Sequence, residues 1–359
     1  MSPAPTALRD NPYLVQIFGE AGWPGVRIRP FSLKRLLLDR PDVAHVHFPH
    51  HLVNWEKPLG CPFDMITVLS SLWLARRLGV AVVWTGHDLG PHEIARPRMG
   101  RFFWRLFITQ VDLLISLSNG ATELLRERYP RLVRVPVAVV PHGHYRQHYT
   151  ALADPVLFRR QLGLDDRPVL LCFGLIRPYK NVPGLIRAWR QLPAPRPQLV
   201  VVGRPIDSAL ESEIQQAADG EQDVHLVLDY ARDEDVPSVF ATADVVVMPY
   251  AAGTALNSGA AHLSLSMGRP VVLTDTAVNR ELQESFGPEW VWLSGSSPAA
   301  ALQTALAAMA TPRPALPELS ELEPARLAAL TEQAYAMAVE ARAARRGGRA
   351  ASSSQAGIS

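Results

Sequence analysis

Residues Leu170–Asn181 read LLCFGLIRPYKN and carry the clearest structural signal in the chain. An apolar run ends at Gly174, and a basic loop with Arg177 and Lys180 leads into a helical pattern, which predicts a strand, a tight turn and a helix start. Glycine lets the backbone turn, free backbone N–H groups point outward at a helix start, and the two cations add formal charge. The stretch therefore predicts a diphosphate site, and the alternative is a solvated loop that happens to be basic.

The length and composition bound the class of protein. A chain of 359 residues exceeds what one hydrophobic core usually organises, which predicts two domains. Cys61 and Cys172 form neither a disulfide framework nor a metal-binding spacing, which fits a reducing compartment. The sequence shows no secretion signal and no apolar run of about 18 residues. We therefore expect a cytoplasmic protein that does not span a membrane.

The charge is distributed unevenly. Residues 1–150 contain 18 Lys and Arg against 11 Asp and Glu, a balance of +7, whereas the remainder has 18 against 23, a balance of −5. The basic half favours an anionic partner, such as a phospholipid surface or a pyrophosphate-linked substrate. Because the net charge is only +2 and no nucleic-acid-binding signature is present, we do not expect a nucleic acid.

Strands and helices alternate along the chain, and the strands are apolar on both faces, which is typical of parallel sheets. In the first half, strands are predicted at 26–31, 43–48, 81–85, 111–116 and 135–140. In the second half, they are predicted at 169–173, 199–202, 225–228, 245–248, 271–273 and 290–293. The alternation restarts at Val169, which marks a second domain.

Four further segments join FGLIRPYKN in one pattern. They are VVWTGHDLGPHE (82–93), VPHGHY (140–145), ADVVVMPY (243–250) and a stretch ending in MGRPVV (267–272). Together they resemble GT-B glycosyltransferases of the large family-4-type group, the glycosyl transferases group 1, over roughly residues 11–310. The resemblance implies an α/β protein of two Rossmann-like parallel-sheet domains that face a cleft, where ligands bind at the carboxyl ends of the strands.

The resemblance also implies the division of the chain. Residues 1–150 are expected to form an N-terminal acceptor-binding domain, and residues 151–318 a C-terminal domain that binds a nucleotide sugar. Residues 319–346 are expected to form a helix that packs back on the first domain. The small, polar residues 347–359 predict a disordered tail.

Two elements are expected to hold the donor. In this family an arginine and a lysine after the first strand of the second domain bind the donor diphosphate, although the usual arginine position is occupied here by Ile176. In GTALNSGAAHLSLSMGRPVV (253–272), capping and small residues would let backbone N–H groups approach a phosphate. The predicted donor-binding residues are Gly174, Arg177, Lys180, Asn257, Ser258 and Gly259.

The largest departure from the family lies in the same stretch. The family usually carries two glutamates there, eight positions apart, but this chain has no Asp or Glu between Tyr250 and Arg269. The retaining mechanism of ordinary members therefore does not carry over, and the chain resembles more closely bacterial exopolysaccharide enzymes such as xanthan-type β-mannosyltransferases. That resemblance favours GDP-mannose as the donor, with a UDP-sugar as the alternative. It implies a glycan or polyprenyl-pyrophosphate-linked acceptor and no cofactor.

Catalysis is expected from the first domain. Inverting transfer needs a group that takes the proton of the acceptor hydroxyl, and Asp88 is the first candidate and Glu93 the second. His87 matches the family histidine that contacts the donor sugar. On the acceptor side the resemblance implies Asn11, Tyr13 and His47. The alternative for each residue is a hydrogen bond that only orders its loop.

A metal site is a further alternative. Alternation along the strand places His45 and His47 on one face, with His50 and His51 close behind. No third ligand follows at a matching spacing, and GT-B enzymes do not need a metal. We therefore expect none.

The helix at 98–109 suggests a location. At 100° per residue Arg98, Arg101 and Arg105 share one stripe, and Phe102 and Trp104 flank it. A basic stripe with flanking aromatic residues suits docking on an anionic bilayer, here the inner membrane face. The alternative is a core-facing helix with a solvated arginine face.

Two other functions remain open. Loss of both family glutamates is also expected of a catalytically silent subunit that binds a nucleotide or a glycan. A GT-B isomerase or hydrolase that acts on a nucleotide sugar would keep the same fold.

Overall fold

The computed structural model describes residues 12–18, 23, 26–56, 60–90, 96–251, 256–312 and 315–355. The chain divides into two units. Unit 1 comprises Met1–Gly143 and Leu322–Ser359, and unit 2 comprises His144–Glu321. Unit 1 is therefore discontinuous in sequence, whereas unit 2 is one continuous stretch.

Unit 1 contains a parallel sheet in the order β1-β2-β3-β4. Its strands are β1 (Val43–Val46), β2 (Ala81–Gly86), β3 (Leu113–Ser116) and β4 (Val137–Val139). Its first five helices are α1 (Pro12–Phe18), α2 (Leu33–Leu38), α3 (Gly60–Arg77), α4 (Pro97–Ile108) and α5 (Asn119–Arg128), with 3-10 turns at Pro49–Leu52 and Pro130–Arg134. Because all neighbouring strands are parallel, the carboxyl ends of β1 and β2 lie at the same edge.

Unit 2 contains a parallel sheet in the order β10-β9-β8-β5-β6-β7. Its strands are β5 (Val169–Phe173), β6 (Gln198–Val202), β7 (Val224–Val227), β8 (Val245–Met248), β9 (Val271–Thr274) and β10 (Val291–Ser294). Its helices are α6 (Pro155–Leu162), α7 (Val182–Trp189), α8 (Ser208–Ala218), α9 (Val236–Thr242), α10 (Gly259–Ser266), α11 (Ala277–Phe286) and α12 (Pro298–Ala310). A 3-10 turn at Pro178–Lys180 precedes α7, and another lies at Ser320–Leu322.

Strand β5 is buried on both faces, which explains its uninterrupted apolar sequence. Leu170 and Cys172 belong to one hydrophobic cluster, and Val169 and Leu171 belong to the cluster on the other face. The two parallel sheets with surrounding helices confirm the α/β fold class predicted from the alternation.

The last helix, α13 (Pro324–Gln355), follows unit 2 in the chain but packs on the sheet of unit 1. Its residues Leu327, Ala334 and Ala338 are buried in one cluster with Val83 of β2 and Ile115 of β3. The helix extends to Gln355, beyond the predicted end at 346, while the disorder of residues 347–359 stays a prediction. Alanine and arginine, which favour helices, dominate the sequence around 340–350.

Two other predicted boundaries differ from the structure. Residues 26–31 are not a strand; Val26 and Ile28 instead pack against a small cluster that includes Trp23. Unit 1 ends at Gly143 rather than at 150, because the next residues are bound to unit 2. Tyr145 donates its N–H to the hydroxyl of Ser266 at 2.9 Å.

Candidate active site

The turns after β5 and β6 lie in close contact at the carboxyl edge of the unit 2 sheet. Gly174 has a φ of +102°, and its N–H donates to the carbonyl of Val202 at 2.9 Å. A side chain on Gly203 would overlap the carbonyl oxygen of Gly174, so only glycine fits there. The sequence analysis did not single out Gly203, although a glycine directly after an apolar strand was its signal.

Lys180 lies beside this turn. A Cβ atom on Gly174 would be 3.4 Å from the Lys180 Nζ, and the Lys180 side chain is only 8% exposed. Burial lowers the pKa of Lys180, and the charge of the nearby Arg177 acts in the same direction. Among the described residues no carboxylate lies within ion-pair distance of Lys180. In the described part of the chain, this buried cation therefore has no carboxylate partner.

The loop after β8 is bonded to the Lys180 turn. The Lys180 Nζ lies 5.3 Å from the centre of the Tyr250 ring, a cation–π distance. Ala251 donates its N–H to the carbonyl of Tyr179 at 3.0 Å, and the Thr274 hydroxyl donates to the carbonyl of Tyr250 at 2.6 Å. Burial raises the pKa of Tyr250, so its phenol stays protonated. The aromatic ring is thus fixed against the ammonium.

The start of α10 lies against the same turn. A Cβ atom on Gly174 would be 3.7 Å from the Cβ of Ala260. Ser258 caps the helix, and its Oγ accepts the N–H of Ala261 at 3.2 Å. Asn257 accepts the N–H of Ser258 at 2.9 Å through Oδ1, whereas its buried Nδ2 has no partner among the described residues. A buried amide donor of this kind needs a ligand or water.

The structure therefore places the six predicted donor-binding residues in the two neighbouring segments around Lys180. We call this group the phosphate cradle, and its members are Gly174, Arg177, Lys180, Asn257, Ser258 and Gly259. One neighbour was not predicted. His262 is buried, with Nδ1 3.1 Å from the carbonyl of Ser258, and burial lowers its pKa to about 4. Since a carbonyl only accepts, Nδ1 carries the proton of the neutral ring.

In unit 1, two histidines meet at the carboxyl edge of the sheet. His47 follows β1 and His87 follows β2, and the His47 Nδ1 lies 3.0 Å from the His87 Nε2. Burial lowers the pKa of His87 to about 3 and that of His47 well below 6.5. Both rings are therefore neutral near pH 7, and the N–H of one ring donates a hydrogen bond to the unprotonated nitrogen of the other.

Tyr13 of α1 joins this pair. Its ring centre lies 5.0 Å from that of His87 and 4.8 Å from that of His142. Tyr13 and His47, both predicted on the acceptor side, thus adjoin His87, which was predicted to contact the donor sugar. The four rings form a group that we call the histidine cluster: Tyr13, His47, His87 and His142.

Two buried polar groups in this region lack a hydrogen-bond partner among the described residues. They are the Nε2 of His47 and the side-chain amide of Gln16. A side chain on Gly143 would overlap the Oε1 of Gln16, so the chain after β4 passes directly against this amide. Such groups are the kind that sugar hydroxyls satisfy. Gln16 was not predicted, because within a short helix it reads as one more surface position.

His45 has a structural role. Its Nε2 lies 2.7 Å from the Thr85 hydroxyl, and its Nδ1 lies 2.7 Å from the Tyr335 hydroxyl of α13. Both ring nitrogens are occupied, so His45 links β1, β2 and α13. Across the described part of the chain, no group of three or more His, Cys, Asp or Glu could hold a metal ion.

The two predicted proton acceptors, Asp88 and Glu93, follow His87 of the histidine cluster closely in the sequence. Asp88 directly follows His87 and is partly exposed. Glu93 and Asn11 lie outside the described residues. The roles assigned to all three residues stay predictions.

The outward face of α4 differs from its prediction in one residue. Arg98, Arg101 and Arg105 are exposed as expected, with Phe102 59% and Leu106 37% exposed. We call these five residues the α4 surface. Trp104 is only 1% exposed, so its assignment to membrane docking is wrong. Its ring packs on Trp84 and stacks on His50, with centroids 6.0 and 5.8 Å apart.

Among the described residues, no helix combines the length and the apolar character needed to cross a bilayer.

Solved structures share this architecture. HepE from Anabaena in complex with UDP-glucose matches with a TM-score of 0.55 and 17% identity, over 88% of this chain and 81% of that chain. The catalytic domain of starch synthase IV from Arabidopsis thaliana, bound to ADP and acarbose, matches with a TM-score of 0.59 and 15% identity, over 86% and 75%. The fold is that of the GT-B glycosyltransferases, as predicted.

Sequence comparison is more specific. Residues 167–336 match the family model described as glycosyl transferases group 1. Two relatives from Xanthomonas campestris, each described as GDP-mannose:glycolipid 4-beta-D-mannosyltransferase, are 30% identical over 328 residues, which is 90% of this chain and 88% of each relative. The chain belongs to the glycosyl transferases group 1 family and is a glycosyltransferase.

His87, whose pKa desolvation lowers, gives a pH-dependent stability. Its folded-state pKa of about 3 lies below the ordinary 6.5, so between these values the unfolded chain binds a proton that the folded chain does not. Stability is therefore present above pH 6.5 and falls as the pH falls, by up to about 1.4 kcal/mol per pH unit for one group.

We expect His87→Gln to reduce the slope of the unfolding free energy against pH, between pH 6 and 4, by up to about 1.4 kcal/mol per pH unit, which corresponds to one proton. The measurement is the free energy of unfolding in urea at a series of pH values. His51→Gln, at an exposed position on the 3-10 turn after β1, is the matched control. An unchanged slope in His87→Gln would show that His87 is not held neutral.

Proposed function

We propose that the protein transfers mannose from GDP-mannose to a lipid-linked glycan, with inversion and without a metal, in the synthesis of a surface polysaccharide. The observation that carries the proposal is the buried Lys180 ammonium, which has no carboxylate partner in the described structure and lies beside Gly174 and the start of α10. The names of the two Xanthomonas relatives support the choice of donor and acceptor.

The phosphate cradle would bind the diphosphate of the donor. A diphosphate would supply the anion that Lys180 lacks, and Arg177 would add a second cation. The free Nδ2 of Asn257 and the first N–H groups of α10 would donate to phosphate oxygens. As the sugar leaves, negative charge grows on the diphosphate, and these fixed donors would stabilise it in the transition state.

The chemical step would use a carboxylate of unit 1. The acceptor oxygen attacks the anomeric carbon, the bond from that carbon to the diphosphate breaks, and the acceptor proton passes to Asp88. Glu93 is the second candidate for this role. The stretch between Tyr250 and Arg269 contains no acidic residue, so that stretch supplies no competing base.

The histidine cluster would recognise sugar hydroxyls. Since His87 stays neutral, it can donate and accept hydrogen bonds without presenting a charge to the donor sugar. On the acceptor side we place Tyr13 and His47, to which the structure adds the unpartnered amide of Gln16. These groups suit a carbohydrate, because it offers many hydroxyls and little charge.

The α4 surface supports attachment to a membrane. Three exposed arginines with Phe102 and Leu106 combine positive charge with apolar side chains that can enter a headgroup layer. We therefore place the enzyme in the cytoplasm, attached peripherally to the inner membrane face where a lipid-linked acceptor would be presented.

Donor binding is tested first by thermal shift of the purified protein with GDP, UDP, dTDP and ADP and their sugar conjugates. We expect stabilisation by GDP compounds, of about 2.7 kcal/mol at 100 times the dissociation constant. Lys180→Ala should weaken GDP binding about 10- to 100-fold, because a charge-assisted contact to phosphate is lost.

Lys34→Ala, at an exposed position on α2, is the control. A shift with another nucleotide alone would replace GDP as the donor. No shift with any nucleotide would overturn the phosphate cradle.

The base is tested with Asp88→Asn and Glu93→Gln. We expect Asp88→Asn to lower kcat at least about 100-fold while GDP binding stays normal, because a general base contributes about 10²–10⁴-fold. The measurement is transfer of radiolabelled mannose to a lipid-linked acceptor. Loss in Glu93→Gln alone would assign the base to Glu93.

The same assay separates the other functions. Release of free mannose without acceptor would identify a hydrolase, and formation of an epimer an isomerase. GDP binding without any turnover by the wild type would identify a silent subunit.

Membrane attachment is tested by sedimentation with vesicles of phosphatidylglycerol and phosphatidylcholine. Replacing Arg101 and Arg105 by Glu, together with Phe102→Ser, should weaken binding at least about tenfold, since each basic residue near an anionic surface contributes about 1 kcal/mol. Arg160→Glu with Arg187→Glu, exposed in unit 2, is the control. Unchanged binding would assign the α4 surface to a solvated helix face.

A further inference from the structure

Unit 1 contains a cavity of about 420 Å3 at the amino edge of its sheet, the opposite edge from the histidine cluster. The cavity is formed by the end of α3, the segment between α4 and β3, the turn Pro130–Arg134 and α13. Its charged and aromatic lining consists of Trp73, Arg76, Arg77, Arg131, Arg342 and Arg345. The proposed glycosyl transfer uses none of these residues.

The cavity carries a large excess of positive charge. Among the described lining residues there is no carboxylate. The buried Asp112 at its base pairs with Arg76 at 2.7 Å, with Arg345 at 3.2 Å and with Arg342 at 3.7 Å. Arg77 and Arg131 have no carboxylate within ion-pair distance among the described residues, so the lining of the cavity carries a net positive charge.

Three of the arginines are held in fixed positions. Arg76 makes a two-pronged contact with Asp112 and donates to the Gln110 side chain at 3.2 Å. Arg342 is only 8% exposed and donates to the backbone carbonyl of Arg76. Arg345 donates to Asp112 at 3.2 Å and to the carbonyl of Arg134 at 3.4 Å. Since these side chains are already ordered, binding of an anion would cost little further side-chain entropy.

The other two arginines carry the free charge. Arg77 and Arg131 are exposed, and neither makes an ion pair with another described residue. The Arg77 guanidinium lies 4.9 Å from the centre of the Trp73 ring, which limits its positions. The two arginines therefore offer their N–H groups at the mouth of an already basic cavity.

We propose that this cavity binds a phosphate-bearing anion. Guanidinium groups match phosphate oxygens in paired hydrogen bonds, and a tetrahedral phosphate can accept from several arginines at once. The volume of the cavity is within the range of small-ligand sites, so the cavity can hold a phosphate together with part of the molecule that bears it.

The phosphate can belong to a soluble molecule or to a lipid headgroup. Trp73, which lines the cavity, is 49% exposed. Leu74, Phe63 and Ile66 are further exposed apolar residues on the same helix, α3. A lipid would use these residues, whereas a soluble phosphate would not.

The first measurement is calorimetric titration of the full chain with pyrophosphate. The wild type is compared with Arg77→Ala/Arg131→Ala, a variant that leaves the Asp112 contacts intact. We expect the cavity to bind pyrophosphate at least about tenfold more weakly in this variant. Lys180→Ala separates this site from the phosphate cradle, because cavity binding should persist in it.

The second measurement is sedimentation with vesicles of phosphatidylglycerol in phosphatidylcholine, with the α4 surface intact in every protein. Arg160→Ala/Arg187→Ala removes the same charge from exposed positions of unit 2 and serves as the control in both experiments. The thermal midpoint of each variant is measured, and it should match the wild type because the substituted residues are exposed.

The two arms identify the source of the phosphate. Loss of pyrophosphate binding alone assigns a soluble phosphate, and loss of vesicle binding, with or without pyrophosphate binding, assigns a lipid headgroup. The proposal is overturned if Arg77→Ala/Arg131→Ala binds both pyrophosphate and vesicles as well as the control variant does. A failed GDP experiment would leave this result unaffected, because the two sites lie in different units.

Discussion

The buried ammonium of Lys180 constrains the arrangement of unit 2. Removing a cation from water costs several kcal/mol, and the lowered pKa of Lys180 records that cost. The face of the Tyr250 ring offsets part of it, while the small residues Gly174 and Ala260 leave space beside the Nζ. The full compensation comes only from an anion. The hydrogen bond from the Ala251 N–H to the Tyr179 carbonyl, which joins the β8 loop to this turn, therefore helps to hold the buried ammonium in place at a cost in stability.

Unit 2 was largely predictable because its signals are local. The apolar residues of β5 face two buried clusters, and the change to Gly174 and then to Lys180 lies within one short stretch. Trp104 shows the limit of such local patterns. On a helical wheel it lies next to the arginine stripe, and only its contacts with Trp84 and His50, which come from other segments, place it in the core. The strand predicted at 26–31 failed for the same reason, since alternation alone does not supply a pairing partner.

The site in unit 1 could be predicted residue by residue but not as a whole. His47 and His87 were recognisable at strand ends, yet their hydrogen bond depends on which strands are neighbours. Gln16 carries no signal in the sequence, because its burial results from the approach of Gly143 after β4. Asp88 remains the predicted base from the motif. The ion pairs of Asp112 could not be predicted either, since its partners Arg76 and Arg342 come from α3 and α13, which lie far apart in the sequence.

The path of α13 has a consequence for biosynthesis. Unit 2 is one continuous stretch, so its sequence emerges from the ribosome before that of α13 does. Unit 1 is then still incomplete, because Leu327 and Ala334 must cover its sheet and Tyr335 must reach His45. The N-terminal half of the protein is therefore expected to mature last, reversing the usual order of domains. Until then the apolar face of its sheet is uncovered, and a chaperone or the membrane surface would be its natural temporary cover.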